Sequence, residues 1–441
     1  MEERRALGLG SGVGLVASSM IGVGVLASAG WAAGVLGPSE ILLSWLVGGA
    51  IALAGARAYA ELATAIPRSG GEYRYLTDLL HPVAGEMAGW ASLVLGFAAP
   101  MAFCGAMADA YGSTLTKLPA NSLGITLIVA TTLLALASAR ATQRVQDALA
   151  FSKLVLFAGF IGVGLWLGSR EWPSWRPPIE GDVRLADFFG QLLWVAVAYS
   201  GWNTAAYAAE EFREPRRTVP RAMLLGTLLV IVLYLLVNWV FVANLDAATL
   251  AQWRESGGDS SRTTLGHLIV SKLVGPVGAG AMSAFVVLSM ASSACAFTIA
   301  GPRVLASMAS DRRFPRSFEA PAGVTPVRAT LLQGALALAM LVTHSFDLLV
   351  ENVGAVLTFT TALTTLALVR ARARPPRGFE STRLASLGVL CGLGYFAASA
   401  WTLWAAAAEK PMRLLWIGLL VGAALVAHLV RRLRGQRLGQ A

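Results

Sequence analysis

The sequence predicts an all-α integral membrane protein of about twelve transmembrane helices, on three observations. Apolar residues make up 56% of the 441 and charged residues only 14%, against about 25% charged in an ordinary soluble domain. Apolar runs of about 18 or more residues recur along the chain, each able to cross a hydrocarbon core about 30 Å thick. Lipid offers the backbone no hydrogen-bond partner, so such runs must close their own bonds as helices.

In order, the spans are expected at 9–36, 39–66, 84–116, 121–139, 145–168, 185–210, 219–243, 276–309, 326–343, 347–370, 384–404 and 412–430. The first is too long for a secretory signal, lacks a cleavage site and is followed by further spans. The longest connections, 67–83, 169–184, 244–263 and 310–325, cannot fold alone, so residues 1–441 form a single membrane domain. The loop SREWPSWRPPIEGDV is expected at the membrane interface, where tryptophan is favoured.

An even count of spans puts both termini on one side. The N-terminal tail, the even-numbered connections and the C-terminal tail hold most of the 35 basic residues, among them Arg4, Arg68, Arg144, Arg217, Arg313, Arg372 and Arg432. The positive-inside rule therefore places both termini in the cytoplasm, with the chain in the cytoplasmic membrane. The net charge of +10 is a topology signal, and no soluble stretch is long enough for a nucleic-acid-binding domain. Cys104, Cys295 and Cys391 sit far apart within spans, giving neither a disulfide framework nor metal-ligand spacing, so no metal or cofactor is expected. His81, His267, His344 and His428 lie at span ends or in loops, which leaves no catalytic set at depth and no enzyme expected. No GxxxxGK[ST] loop occurs, so any transport would run on gradients or exchange.

Span one contains ASSMIGVGVLASAG, with Gly22 and Gly24 near its middle. Glycine inside a helix costs about 1 kcal/mol relative to alanine. Span six carries Tyr199-Ser200-Gly201-Trp202-Asn203 at a similar depth. Small residues also let membrane helices pack closely; that reading is preferred for Gly30 and Gly34. For Gly22 and Gly24 the matching break in span six favours interruption, the pattern of a transporter built from inverted repeats. Unwinding exposes a half-helix N-terminus, which favours an anion, and free carbonyls, which favour a cation. An α-amino acid carries both charges one carbon apart.

Four motifs then carry a resemblance. YAELATAIPRSGGEYRYL (59–76) resembles the signature of the amino acid–polyamine–organocation superfamily, and IGVGV its unwound first helix. AYSGWNTAAYAAEEFREPRRTVPRA (198–222) and RVQDALAFSKL (144–154) are similar to the sixth and fifth helices of its L-type amino acid transporter branch. The resemblance implies a five-plus-five inverted repeat of the leucine-transporter type: repeat one about 9–168, repeat two about 185–370, and two additional helices about 384–430. It implies alternating access, with the cargo carboxylate on the amides of Gly22, Val23 and Gly24. The ammonium would meet carbonyls near Met20, Val197 and Ser200, in the sixth-helix break around Gly201, and Trp202 and Asn203 would line the side-chain end.

Several positions depart from that pattern. Val23 stands where relatives often have serine, Val197 where an aromatic gate is expected, and Gly354 and Val356 where bulky rings are common, implying a roomier pocket. The loop TLTKLPANS lacks the cysteine that ties eukaryotic relatives to a heavy subunit, so no disulfide-linked partner is expected.

Ionisable residues at depth are functional candidates. Lys153 lies nine residues past Arg144, about 14 Å along a helix and so near mid-depth. The resemblance implies that such a lysine replaces a sodium ion between helices one, five and eight, with Ser289, Ser292 and Ser293 on the hydroxyl side. It either releases a proton in each cycle or stays a permanent structural cation. Arg57 and Glu61, four apart on one face, are expected to pair. Glu210 and Glu211 close span six beside Arg213, Arg216 and Arg217, as a gate or as surface pairs. Asp109 is expected to face an outer vestibule or to help select the cargo, and Tyr199 to pack or to hydrogen-bond near the break.

The leading expectation is therefore a secondary transporter of neutral amino acids, with protons and the lipid bilayer as further partners. The alternatives are an amino acid exchanger, or a polyamine or organic-cation carrier of the same fold. The last needs carboxylates in the pocket, and neither break contains one. A channel fits hydropathy alone, but the paired interruptions argue for alternating access.

Overall fold

The structure, a computed structural model, describes residues 7–22, 24–113, 115–176, 185–255, 265–343, 346–375, 385–409, 415, 417–426 and 428–429. Among these residues it is all-helical apart from one isolated bridge, Leu7 to Phe212. Among the described residues seven helices are long and apolar enough to cross a membrane, and five shorter apolar helices, Leu9–Met20, Ser122–Ala137, Asp187–Ala198, Val327–Thr343 and Ile417–Val426, fall on the remaining expected spans.

Span one is two helices, α1 (Leu9–Met20) and α2 (Gly24–Val35). Ile21 leaves helical geometry, with φ −73° and ψ 92°, and ends α1. The chain continues through α3 (Pro38–Ala65), α4 (Glu72–Leu79), α5 (Pro82–Ala91), a π-helical turn (Ser92–Ala98), α6 (Ala99–Gly112), α7 (Ser122–Ala137) and α8 (Ala139–Leu167). Span six is broken as span one is: α9 (Leu185–Ala198) stops, residues 199–203 turn, and α10 (Thr204–Tyr207) resumes. Gly201 has φ +103°, and a Cβ there would stand 2.9 Å from the Ser19 backbone, so both conformation and space require glycine. α11 (Pro215–Asn244), α12 (Ala247–Glu255), α13 (Leu265–Val274), α14 (Pro276–Ser310), α15 (Val327–Thr343), α16 (Phe346–Ala373) and α17 (Ser386–Glu409) complete the main run of helices.

α1 packs against α8, α11 and α14, while α11 lies along α3. Trp45, Tyr199 and Tyr234 meet with ring centroids 5.1–5.6 Å apart and join the sixth-span break to α3 and α11. α8 shows the polarity of a membrane helix: Phe151, Val155 and Trp166 face outward, and Lys153 and Phe157 face inward. Helix α4, in the stretch expected to be only a connection, is itself buried through Glu72, Tyr73, Arg74, Tyr75, Leu76 and Leu79.

The arginine-rich end is tied together by polar contacts. The Leu7 amide donates to the Glu211 carbonyl and the Arg213 amide to the Leu7 carbonyl, each at 3.1 Å. Glu211 pairs with Arg303 across 3.2 Å and accepts the Gly323 amide. Of its two expected roles, gate or surface pair, this contact departs from the surface pair: the carboxylate faces inward to the buried guanidinium of α14. Arg74 and the Tyr73 hydroxyl both reach Asp311, at 2.7 and 2.8 Å.

Arg57 and Glu61 pair as expected, and Glu61 also accepts the Ala385 amide at 3.0 Å, placing an acid at the start of α17. Asp109, expected at a vestibule or in cargo selection, accepts the Leu123 amide at 3.0 Å, so one carboxylate oxygen binds the N-terminal turn of α7.

Candidate functional site between two broken helices

A cavity of about 210 Å³ lies between the two breaks. Met20, Gly22 and Gly24 line it from span one, and Val197, Ser200, Gly201, Trp202 and Asn203 from span six. The remaining expected residue, Val23, lies outside the described residues. The two glycines of span one differ. A Cβ on Gly22 would meet nothing within 4 Å, whereas one on Gly24 would stand 3.1 Å from Ala198. Gly22 opens space, and Gly24 lets the two broken helices touch.

The carbonyls expected to receive an ammonium are unequal. Val197 O already accepts the Ser200 amide at 3.0 Å and the Ser200 hydroxyl at 2.7 Å. Both of these contacts close the turn of the sixth-span break, and Val197 also lines the cavity. Met20 O accepts the Tyr234 hydroxyl at 2.7 Å, which leaves one lone pair, and the same hydroxyl reaches Ala198 O at 3.2 Å. Tyr234 thereby bridges the ends of α1 and α9. Trp202 stands edge-on between Tyr59 and Tyr395, at 4.8 and 5.6 Å, as an aromatic wall.

Lys153 reaches the first break. Its Nζ donates to Ser18 O (3.1 Å), Ile21 O (2.7 Å) and Ser293 Oγ (2.8 Å). The last carbonyls of a helix lack intrahelical partners and carry the negative end of its dipole, so an ammonium there satisfies both needs. Ser293 Oγ donates to Ser18 O and Ser292 Oγ to Ser18 Oγ. Ser289 is buried, but no hydrogen bond joins it to Lys153 among the described residues, because it lies one turn before Ser293 on α14. No group of metal-ligating side chains occurs among the described residues.

The sequence reading missed two contributions. Glu72, from the buried start of α4, lines the cavity and accepts the Asn203 amide nitrogen at 3.1 Å. Helix α17, expected only as an addition, contributes Tyr395 and Ser399, which stand four apart on one helix face. That spacing of polar groups in an apolar helix was the available signal. Gly354 lines the cavity against Val197, where a Cβ would approach the valine at 2.9 Å. Val356 is fully buried and does not line it, correcting its expected place in the lid: two residues further along a helix points to another face.

Two interrupted apolar helices enclosing one polar-lipped cavity define a multi-span membrane transporter. The chain belongs to the amino acid permease family of the amino acid–polyamine–organocation superfamily, whose model, described as amino acid permease, matches residues 7–427. It is 28% identical over 359 residues to the serine/threonine exchanger SteT of Bacillus subtilis (strain 168), covering 79% of each chain. It is 30% identical over 268 residues to the human large neutral amino acids transporter small subunit 2, covering 56% of this chain and 49% of that one. It is also 30% identical over 267 residues to the human b(0,+)-type amino acid transporter 1, covering 56% and 53%. The chain thus spans about half the length of these human relatives.

Proposed function

We propose that the protein is a secondary transporter of neutral amino acids. It works by alternating access in the cytoplasmic membrane, with both termini in the cytoplasm. The observation that carries this reading is the cavity held between the breaks of spans one and six. Gly22 and Gly24 offer backbone to a carboxylate, Met20 and Ser200 offer carbonyls to an ammonium, and Trp202 and Asn203 meet the side chain. The expected five-plus-five repeat fits the placing of the breaks in the first and sixth spans.

Lys153 takes the place of a coupling sodium ion, since its ammonium fills the space between α1, α8 and α14. It serves either as a proton carrier or as a fixed cation. The second reading, an exchanger, is supported by the Bacillus relative, which is named a serine/threonine exchanger. Glu72 gives an organic-cation cargo the cavity carboxylate that neither break supplies, but the carboxyl already engages Tyr59 and Asn203. One relative is named a small subunit; for this chain no disulfide-linked partner is proposed, because TLTKLPANS contains no cysteine.

A thermal-shift screen of purified protein against the twenty amino acids, followed by proteoliposome uptake of each hit, tests the reading. Stabilisation by neutral amino acids supports it. A response only to arginine or a polyamine contradicts it.

A further inference from the structure

We propose that Glu72 is a second proton-binding group of the transport cycle, and that its charge state sets how Asn203 meets the cargo. The inference rests on the amino acid transport reading above and adds to it a positioning residue distinct from Lys153.

Glu72 is fully buried and opens α4. Its Oε1 accepts the Tyr59 hydroxyl at 3.0 Å and Asn203 Nδ2 at 3.1 Å, and Oε2 is buried with no hydrogen-bond partner among the described residues. The groups facing the carboxyl are neutral on every side: Tyr59 from α3, Asn203 and Tyr207 from span six, Thr360 from α16 and Tyr395 from α17. The nearest cation in sequence, Arg74, is engaged with Asp311 instead. A carboxylate buried without a cation is costly, and the group escapes that cost by holding a proton. Burial pushes the Glu72 carboxyl up to about 7, although the surrounding hydroxyl and amide groups pull the other way.

The two charge states present different groups. Ionised Glu72 holds Asn203 by Nδ2 and leaves the amide oxygen as an acceptor for cargo. Protonated Glu72 carries its O–H on Oε2, and its Oε1, now an uncharged carbonyl, holds Asn203 Nδ2 less tightly, which frees the amide to turn toward cargo. The step is an ordinary acid dissociation: the O–H bond breaks, its electron pair stays on the carboxylate, and the proton passes to cavity water. The next two residues of α4, Tyr73 and Arg74, hold Asp311 at the arginine-rich end. One turn of helix therefore touches both the cargo cavity and the arginine-rich end.

Two measurements on the purified full-length protein test this. Infrared spectroscopy over a pH series without cargo reads the carbonyl stretch of a protonated carboxyl. A band that titrates near neutral pH in the wild type and is missing from Glu72→Gln is expected; its persistence in that variant overturns the proposal. The second is amino acid affinity against pH. A change of about tenfold for each unit by which cargo shifts the carboxyl is expected in the wild type. Glu72→Gln should flatten it, Glu72→Asp should restore a pH response, and Lys153→Met should leave the Glu72 limb in place. An unchanged pH response in Glu72→Gln overturns the proposal. Because the infrared titration needs no cargo, a Glu72 band without amino acid binding at any pH supports the proton site and counts against the transport reading alone.

Discussion

The Lys153 ammonium lies 2.7 Å from the carbonyl oxygen of Ile21, the residue at which α1 ends. A cation supplied by α8 thus closes the unwound segment of span one, and Ser293 of α14 completes its coordination. A sodium ion beside it would add a second positive charge. At about 4 Å the repulsion is about 4 kcal/mol even at an effective dielectric of 20.

Transport should therefore be independent of sodium. Lys153→Met, which keeps length and removes charge, should leave Ser18 O and Ile21 O with one partner fewer and lower the melting temperature. Uptake of the wild type in sodium-free and sodium-containing buffers, with and without a protonophore, separates the two roles of the lysine. Collapse with the protonophore marks a proton carrier, indifference marks a fixed cation, and a sodium requirement contradicts both.

Gly201 and Gly22 should respond differently to alanine. Gly201→Ala forces a side chain into positive φ and against Ser19, a strain of about 1–3 kcal/mol. Gly22→Ala meets open space and should fold like the wild type. Thermal melts of both variants check this; equal destabilisation would refute the assignment of Gly22 to an open, cargo-accessible position.

Tyr234→Phe removes the hydroxyl that bridges Met20 O and Ala198 O. The loss should cost about 0.5–1.5 kcal/mol of stability. Cargo affinity should also fall, because the ends of α1 and α9 lose their tie. An affinity equal to wild type in a binding titration would show that the bridge does not position the site.

On the opposite side from the arginine-rich end, Asp246 caps the first turn of α12 and pairs with Lys272. The lysine hydrogen bond holds its carboxyl down at about 2, below the usual carboxylate range. A depressed folded-state value means the pair stabilises above the ordinary carboxylate range, and that contribution is lost as pH falls toward 2. Both partners are half-exposed, so Asp246→Asn should cost less than about 1 kcal/mol at neutral pH. The difference in melting temperature should vanish in strong acid.

The spans were legible because each is a long apolar run, and the two breaks because glycine and polar residues interrupt such runs at mid-depth. Lys153 was legible as a charge where lipid tolerates none. Glu72 was not: its neighbours Tyr73, Arg74 and Asp78 make the segment read as a polar connection, and the groups that surround it, Tyr59, Asn203, Tyr207 and Thr360, are distant in sequence. The engagement of Val197 O by Ser200 was equally hidden, since turn hydrogen bonding follows from geometry around Gly201 rather than from residue type. The partners of Asp109 and Glu211 were hidden for a shared reason: an acid's partner is whichever amide or guanidinium the fold brings near, here Leu123 and Arg303.

The most direct test of the account is uptake of a labelled neutral amino acid into proteoliposomes by the wild type and by Gly22→Leu, side by side. The wild type should accumulate or exchange the amino acid without sodium. Gly22→Leu should insert and melt cooperatively yet neither bind nor transport, because the leucine side chain covers the exposed backbone of the first break. Wild-type transport by Gly22→Leu, or no transport of any neutral amino acid by the intact protein, would contradict the claim that cargo binds between the two broken helices.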